Sequence, residues 1–147
     1  MENFIVKKID RDIVNECVDV FIDTFTKEPW YDVYESKDKV VKYFNNYLDN
    51  NCFLGYVCLL DEKVVAMSIG MKKSSIEGME YYIDEFCISY KLQGKGIGSK
   101  FMKYIKEDIQ KQELNGMLLN TKKNYPAYKF YLKNGFKQID DLVVLGI

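Results

Sequence analysis

The sequence contains no histidine. That absence removes Ser-His-Asp and Cys-His nucleophilic machinery, His-ligated zinc and an imidazole general base, so any proton transfer falls to carboxylate, Tyr, Lys, Cys or water. There is no surplus of positive charge: 21 Lys and Arg stand against 22 Asp and Glu, a net charge of −1, and no basic face is offered to nucleic acid or an anionic membrane. Without that electrostatic half of a base-stacking design, the abundant Tyr and Phe read as core and pocket lining. Long apolar runs are also missing. The longest uncharged stretch, Asn50 to Leu60, is too short to cross a bilayer. The cysteines Cys17, Cys52, Cys58 and Cys87 lie inside apolar runs, show no Cys-x-x-Cys spacing and follow no signal-peptide pattern, which leads us to expect buried thiols of a cytoplasmic protein. No repeat, linker or low-complexity tract interrupts the chain, so residues 1–147 are expected to form one domain, a length that can bury most of its unfolded surface in a single core.

What is present has clear periodicity. Phe4 to Ile9 reads as a first strand and Asp10 as a helix cap. Ile13, Val14, Cys17, Val18, Phe21 and Phe25 recur at three- and four-residue steps, giving a helix from about Arg11 to Phe25 with one apolar face. After the turn Pro29-Trp30-Tyr31, Ser36 caps a second helix whose stripe is Val40, Val41, Phe44, Tyr47 and Leu48. Cys52 to Leu60 and Val64 to Lys72 form a hairpin across Asp61-Glu62-Lys63, and Met79 to Ser89 is the next strand. A helix from about Gly96 to Glu113, a buried strand Met117 to Thr121, a helix starting at Pro126 and stopped by Gly135, and a last strand Phe136 to Leu145 complete the order. The strand, helix, strand order from Tyr82 to Thr121 implies a parallel pair.

Between the strand ending at Ser89 and its following helix lies Gln93-Gly94-Lys95-Gly96-Ile97-Gly98. Glycines on alternate positions let backbone N–H groups turn inward toward a ligand, and the helix start adds partial positive charge, which together make an anion cradle for phosphate. The spacing is not that of a P-loop, because Lys95 is followed by Gly96 rather than Ser or Thr. Nor is it the dinucleotide fingerprint, whose third glycine position is Ser99 here. What remains is Gln-x-x-Gly-x-Gly.

This pattern resembles the coenzyme A pyrophosphate loop of the GNAT superfamily of N-acetyltransferases. Asn124, Ala127 and Phe130-Tyr131-Leu132-Lys133-Asn134-Gly135-Phe136 resemble that family's later segment, in the right order and separation. The resemblance implies an α/β (α+β) fold with a mixed, mainly antiparallel central sheet of about six to seven strands and about four helices on both faces. It implies a sheet that splays between the strand ending at Ser89 and the strand Met117 to Thr121, with a bulge near Phe86 to Ile88 opening the gap. It further implies acetyl-CoA as co-substrate, with no metal, held by Phe86, Cys87, Ile88, Gln93, Gly94, Lys95, Gly96, Ile97, Gly98, Ser99, Asn124, Tyr128 and Tyr131. Pantetheine would pair with free backbone groups of Phe86 and Ile88, and a strand N–H near Phe86 would stabilise the oxyanion of a tetrahedral intermediate.

The chemistry so implied needs a neutral amine and a protonated leaving thiolate. Tyr131 stands at the family position of the tyrosine that protonates the thiolate. Asp84 and Glu85 are the carboxylates that could take the amine proton. Simple strand alternation separates them and places Tyr82, Asp84 and Phe86 on one face; the resemblance implies that this is the acceptor side, which makes Asp84 the first choice and Glu85 the reserve. The loop Glu28 to Glu35, which carries Trp30, Tyr31, Asp32 and Tyr34, mixes acids with aromatics as a cationic amine would require, so Trp30, Tyr31, Tyr82 and Asp84 are the expected acceptor contacts. The expected partner is a small-molecule amine rather than nucleic acid or membrane, with a homodimer left open. A protein N-terminus or lysine as acceptor, a coenzyme A-binding regulatory module without turnover, and a structural Gly-rich domain without cofactor are the rival readings.

Overall fold

Asp10 ends the first strand and its carboxylate accepts from the Asp12 N–H at 3.0 Å, turning the chain into the first helical segment. The structure, a computed structural model, describes residues 3–147. Its elements are β1 (Phe4–Lys8), a short 3-10 turn (Arg11–Ile13), α1 (Val14–Phe25), α2 (Lys37–Leu48), β2 (Phe53–Leu60), β3 (Lys63–Ser75), β4 (Gly78–Ile88), a second 3-10 turn (Tyr90–Leu92), α3 (Ile97–Lys111), β5 (Met117–Leu119) and α4 (Pro126–Lys133). The strands lie side by side in chain order, antiparallel from β1 to β4, with β5 parallel to β4.

The helices cover both faces of this sheet because each has an apolar stripe to bury. On one face, Val14, Cys17, Val18, Phe21 and Phe25 of α1 and Val40 and Phe44 of α2 pack on Val57, Met67, Ile69 and Cys87. On the other, Phe101, Met102, Ile105 and Ile109 of α3 and Tyr131 of α4 pack on Tyr56, Cys58, Ala66, Tyr81 and Ile83. The fully buried Tyr81 hydroxyl is satisfied by Ser68 Oγ at 2.8 Å. Cys17, Cys58 and Cys87 are buried free thiols, whereas Cys52, expected to be buried as well, is half-exposed in the turn before β2; burial pushes Cys17 up to about 12 and Cys58 up to about 11, so both stay protonated and serve as packing groups.

Two expectations change. Phe136 to Leu145 is not a strand: the segment runs exposed past α4, and among the described residues the sheet has five strands rather than six or seven. The apolar residues of the segment supply only half of what a strand needs, and no ladder partner is present along it among the described residues. The bulge also lies elsewhere. Register between β3 and β4 slips at Ile69/Gly70, where Ile69 faces Glu85 and Gly70 faces Ile83, so Asp84 is the extra residue. The consequence shows in the faces. Ile83 packs on the α3–α4 side and Cys87 on the α1–α2 side, although residues an even number apart should share a face. Gly70 permits this, since a Cβ there would lie 1.9 Å from the Tyr82 carbonyl oxygen.

Candidate active site

β4 and β5 are paired only through Tyr81, Ile83 and their neighbour Tyr82, against Met117, Leu119 and Leu118. Beyond Ile83 the bulge turns β4 away, and the fork between the strands opens there. Ser89 N–H bonds to Val65 O at 2.7 Å, which sets the phase of the β3–β4 ladder. By the pleat, the backbone N–H and C=O groups of Phe86 and Ile88 then point to the open side of the fork. The Ile88 carbonyl already accepts from Gln93 Nε2 at 3.1 Å and Thr24 Oγ1 at 3.3 Å. Gln93 thus anchors the start of the glycine loop to the end of β4.

In that loop Gly94 and Gly96 have φ of +77° and +82°, and no heavy atom lies within 4 Å of where a Cβ would sit on either. Both the left-handed backbone and the open space above it are what a bound anion needs and what a side chain would fill. Gly96 caps α3, and the first ladder bond runs from Lys100 N–H to Gly96 O at 3.1 Å. The amides of Ile97, Gly98 and Ser99 are therefore left without helical partners. Gly98 has a different reason for being glycine: a Cβ there would lie 2.9 Å from the Phe130 ring, so it lets α3 approach α4. Asn124 is exposed in the turn before α4, and the Tyr128 hydroxyl donates to Gln138 Oε1 at 2.8 Å. The loop's backbone donors fit a pyrophosphate-bearing co-substrate.

On the far side of the fork is a cleft of about 820 Å³. Its walls come from α1 (Phe21, Phe25), the following loop (Trp30, Asp32, Tyr34, Glu35), α2 (Val40, Tyr43), the bulge (Asp84, Glu85, Phe86), the end of β5 (Asn120, Lys122) and α4 (Tyr131). Trp30 packs on Phe25 and on Tyr125, at ring separations of 5.3 and 4.6 Å, and so ties the loop after α1 to the loop after β5. Tyr131 is 8% exposed, ringed by Phe86, Phe130 and Phe136 at 5.4 to 6.0 Å. Burial, with Cys87 and Glu85 nearby, raises its pKa, so the hydroxyl holds its proton.

The bulge brings Asp84 and Glu85 to the same cleft, which corrects the expectation that alternation would separate them. They differ in surroundings. Glu85 is the more buried, and desolvation lifts it from 4.5 to about 7, with Asp84 and Asp32 adding to the rise and the Tyr43 hydroxyl, donating to Oε2 at 3.2 Å, opposing it. Asp84 is more exposed; desolvation raises it too, while Tyr47 and Lys73 pull it down. Tyr43 and Tyr47, one helical turn apart on α2, thus face the two carboxylates. Sequence reasoning assigned Tyr47 to the buried stripe and did not single out Tyr43, although the i, i+4 pair of tyrosines was there to be read. The expected contacts Tyr31 and Tyr82 do not line the cleft. Tyr31 is 65% exposed, and Tyr82 lies before the bulge, where its hydroxyl accepts from Asn120 Nδ2 at 2.6 Å. Phe86 falls on the opposite face from Tyr82, packed on Phe101 and Phe130.

Among the described residues no group of His, Cys, Asp and Glu is placed to hold a metal ion, and no helix is long and apolar enough to cross a membrane. Fold and site together define an α/β protein with an open glycine loop at a helix start on one side of a forked sheet and a cleft lined by acids and aromatics on the other. A model of the acetyltransferase (GNAT) family matches residues 14–136, and the chain belongs to that family of acetyltransferases. The fold is similar to that of the aminoglycoside acetyltransferase meta-AAC0020 from an uncultured soil metagenomic sample, solved with trehalose. That match has 15% identity and a TM-score of 0.76, and covers 98% of this chain and 95% of that one. It is similar as well to the aminoglycoside N-acetyltransferase AAC(6')-Iy in complex with CoA (8% identity, TM-score 0.77, 100% and 96% covered). A third similar structure is the ribosomal-protein-alanine N-acetyltransferase of Brucella melitensis biovar Abortus 2308 (12% identity, TM-score 0.77, 99% and 100% covered). At these identities the likeness establishes the shared fold.

Proposed function

We propose that this acetyltransferase moves an acetyl group from acetyl-CoA to a primary amine of a small cationic molecule. The observation that carries the reading is the cleft beside the fork. Asp32, Glu35, Asp84 and Glu85 line it with Trp30, Tyr34 and Tyr43, beside Lys39, which pairs with Glu35, and Lys122, which lies over Trp30, so an ammonium entering it meets the carboxylates of Asp32, Asp84 and Glu85 next to the tyrosine rings. Two similar folds belong to enzymes described as aminoglycoside acetyltransferases, which agrees with a polar, cationic acceptor.

In this reading the backbone of Gln93 to Ser99 receives the pyrophosphate, and the outward groups of Phe86 and the N–H of Ile88, whose own carbonyl is already taken up by Gln93 and Thr24, receive the pantetheine arm. Acetyl-CoA supplies the activated acyl group as a thioester. Glu85 takes the amine proton: with a pKa near 7 it is a poised base at neutral pH, and it faces the cleft from the floor of the fork. Asp84, the first choice from alternation, holds the ammonium at the more exposed side of the bulge. Tyr131, protonated and buried opposite Phe86, returns a proton to the departing thiolate.

The test is a screen of amines for thiol release from acetyl-CoA, with small polycations, amino acids and peptides bearing free N-termini or lysines as separate groups. Turnover with cationic small molecules, weakened by Asp84→Asn through KM, is the expected result. Turnover confined to peptides, or acetyl-CoA binding without turnover on any amine, would overturn the acceptor assignment.

A further inference from the structure

The cleft beside the fork is not uniformly acidic. Asp84 and Glu85 stand on the bulge and Asp32 on the loop after α1, while the wall that continues from β5 carries Asn120, Thr121 and Lys122. Its two lysines differ in their surroundings. Lys39 is paired with Glu35, but none of the ion pairs among the described residues includes Lys122.

Aromatic rings hold Lys122 instead. Its ammonium lies 5.9 Å from the ring centroid of Trp30 and 5.0 Å from that of Tyr125, and the two rings pack on each other at 4.6 Å. A ring face attracts the charge but does not take up all three N–H groups, so the cation is steered to one place in the wall and keeps donors for a further partner. Asn120 beside it is tied down as well, by its donation to the Tyr82 hydroxyl at 2.6 Å. The cleft therefore has a negative end at the bulge and a positive end on the β5 side. A molecule with ammonium groups alone is attracted at the first and repelled at the second, whereas one that also carries an anion is attracted at both.

We infer that the acceptor is an amine that also bears a carboxylate, with its reacting ammonium against Asp84 and Glu85 and its carboxylate against Lys122. This rests on the cleft being the acceptor site and narrows that reading to small diamino acids, which keep a net positive charge, over plain diamines. A cleft of about 820 Å³ has room for such a molecule. The transfer itself is unchanged: the amine nitrogen bonds to the acetyl carbon as the carbon–sulfur bond breaks, the amine proton passes to Glu85, and Tyr131 protonates the thiolate. Lys122 takes no part in those bonds and acts on which amines are presented to them.

The test is the initial rate of thiol release from acetyl-CoA with two matched pairs, lysine against cadaverine and ornithine against putrescine, whose members differ only in the carboxylate. The wild type should favour the carboxylated member in kcat/KM by on the order of 10-fold or more, the range of one charge-assisted hydrogen bond. Lys122→Met keeps the stem over Trp30 and removes the charge, so it should bring that ratio close to one through the KM of the amino acid, and Lys122→Arg should preserve it. Equal or faster turnover of the diamines by the wild type overturns the inference and leaves the amine-acceptor reading standing. A preference that survives intact in Lys122→Met also overturns it, since the carboxylate is then recognised elsewhere. Release with other amines but with none of these four overturns the inference alone, and no release with any amine overturns both.

Discussion

Glu85→Gln separates what this site needs for chemistry from what the fold needs for stability. In the folded protein Glu85 titrates at about 7 rather than 4.5. Between those two values the native state holds a proton that the unfolded chain has released, so stability falls as pH rises through the window and the full cost is reached above pH 7. At 1.36 kcal/mol for each factor of ten, the displacement amounts to about 3 kcal/mol at most. Glutamine keeps the shape and removes the charge, at the expense of part of the Tyr43 hydrogen bond. The variant should therefore be more stable than wild type by about 1–3 kcal/mol at pH 8, or roughly 3–8 °C in Tm, with the difference shrinking toward pH 4.5. Its turnover should fall on the order of 10²-fold or more, because the proton acceptor is gone. Thermal melts at pH 5 and pH 8, paired with initial rates against amine concentration, read both effects. A variant less stable at pH 8, or one with wild-type turnover, would falsify the assignment of Glu85 as a desolvated base.

The neighbours of that carboxylate give further outcomes. Tyr43→Phe removes the hydrogen bond that favours the charged form, so the acidic limb of the kcat/KM profile should move to higher pH while acetyl-CoA affinity stays put. Tyr131→Phe should lower turnover about 10²-fold with little change in acetyl-CoA affinity, and wild-type turnover would return Tyr131 to a packing role. Gly96→Val places a β-branched residue at φ +82° and fills the space above the cradle; a folded variant with undiminished acetyl-CoA binding by calorimetry would refute the anion cradle. Gly70→Ala drives a methyl group into the Tyr82 carbonyl and should cost about 3 kcal/mol or more, together with activity, since the bulge that presents Asp84 and Glu85 cannot form against it.

Much of this protein was written in local sequence. Helices α1 to α4 follow from apolar residues at three- and four-residue steps and from Asp10, Ser36, Pro126 and Gly135 at their ends, because capping and periodicity act within a turn of helix. The glycine loop was legible for the same reason: a positive φ at Gly94 and Gly96 and a helix start at Ile97 are properties of consecutive residues. The tertiary structure decided what depends on a second strand or a second element. Whether Asp84 and Glu85 share a cleft turns on one extra residue in β4, which is visible only in its pairing with β3, and a single-residue slip reverses every face beyond it. Tyr43 acquires meaning only when α2 is laid over Glu85. The segment after Phe136 has the composition of a strand, but a strand also needs an edge to join, and composition cannot say where that edge is.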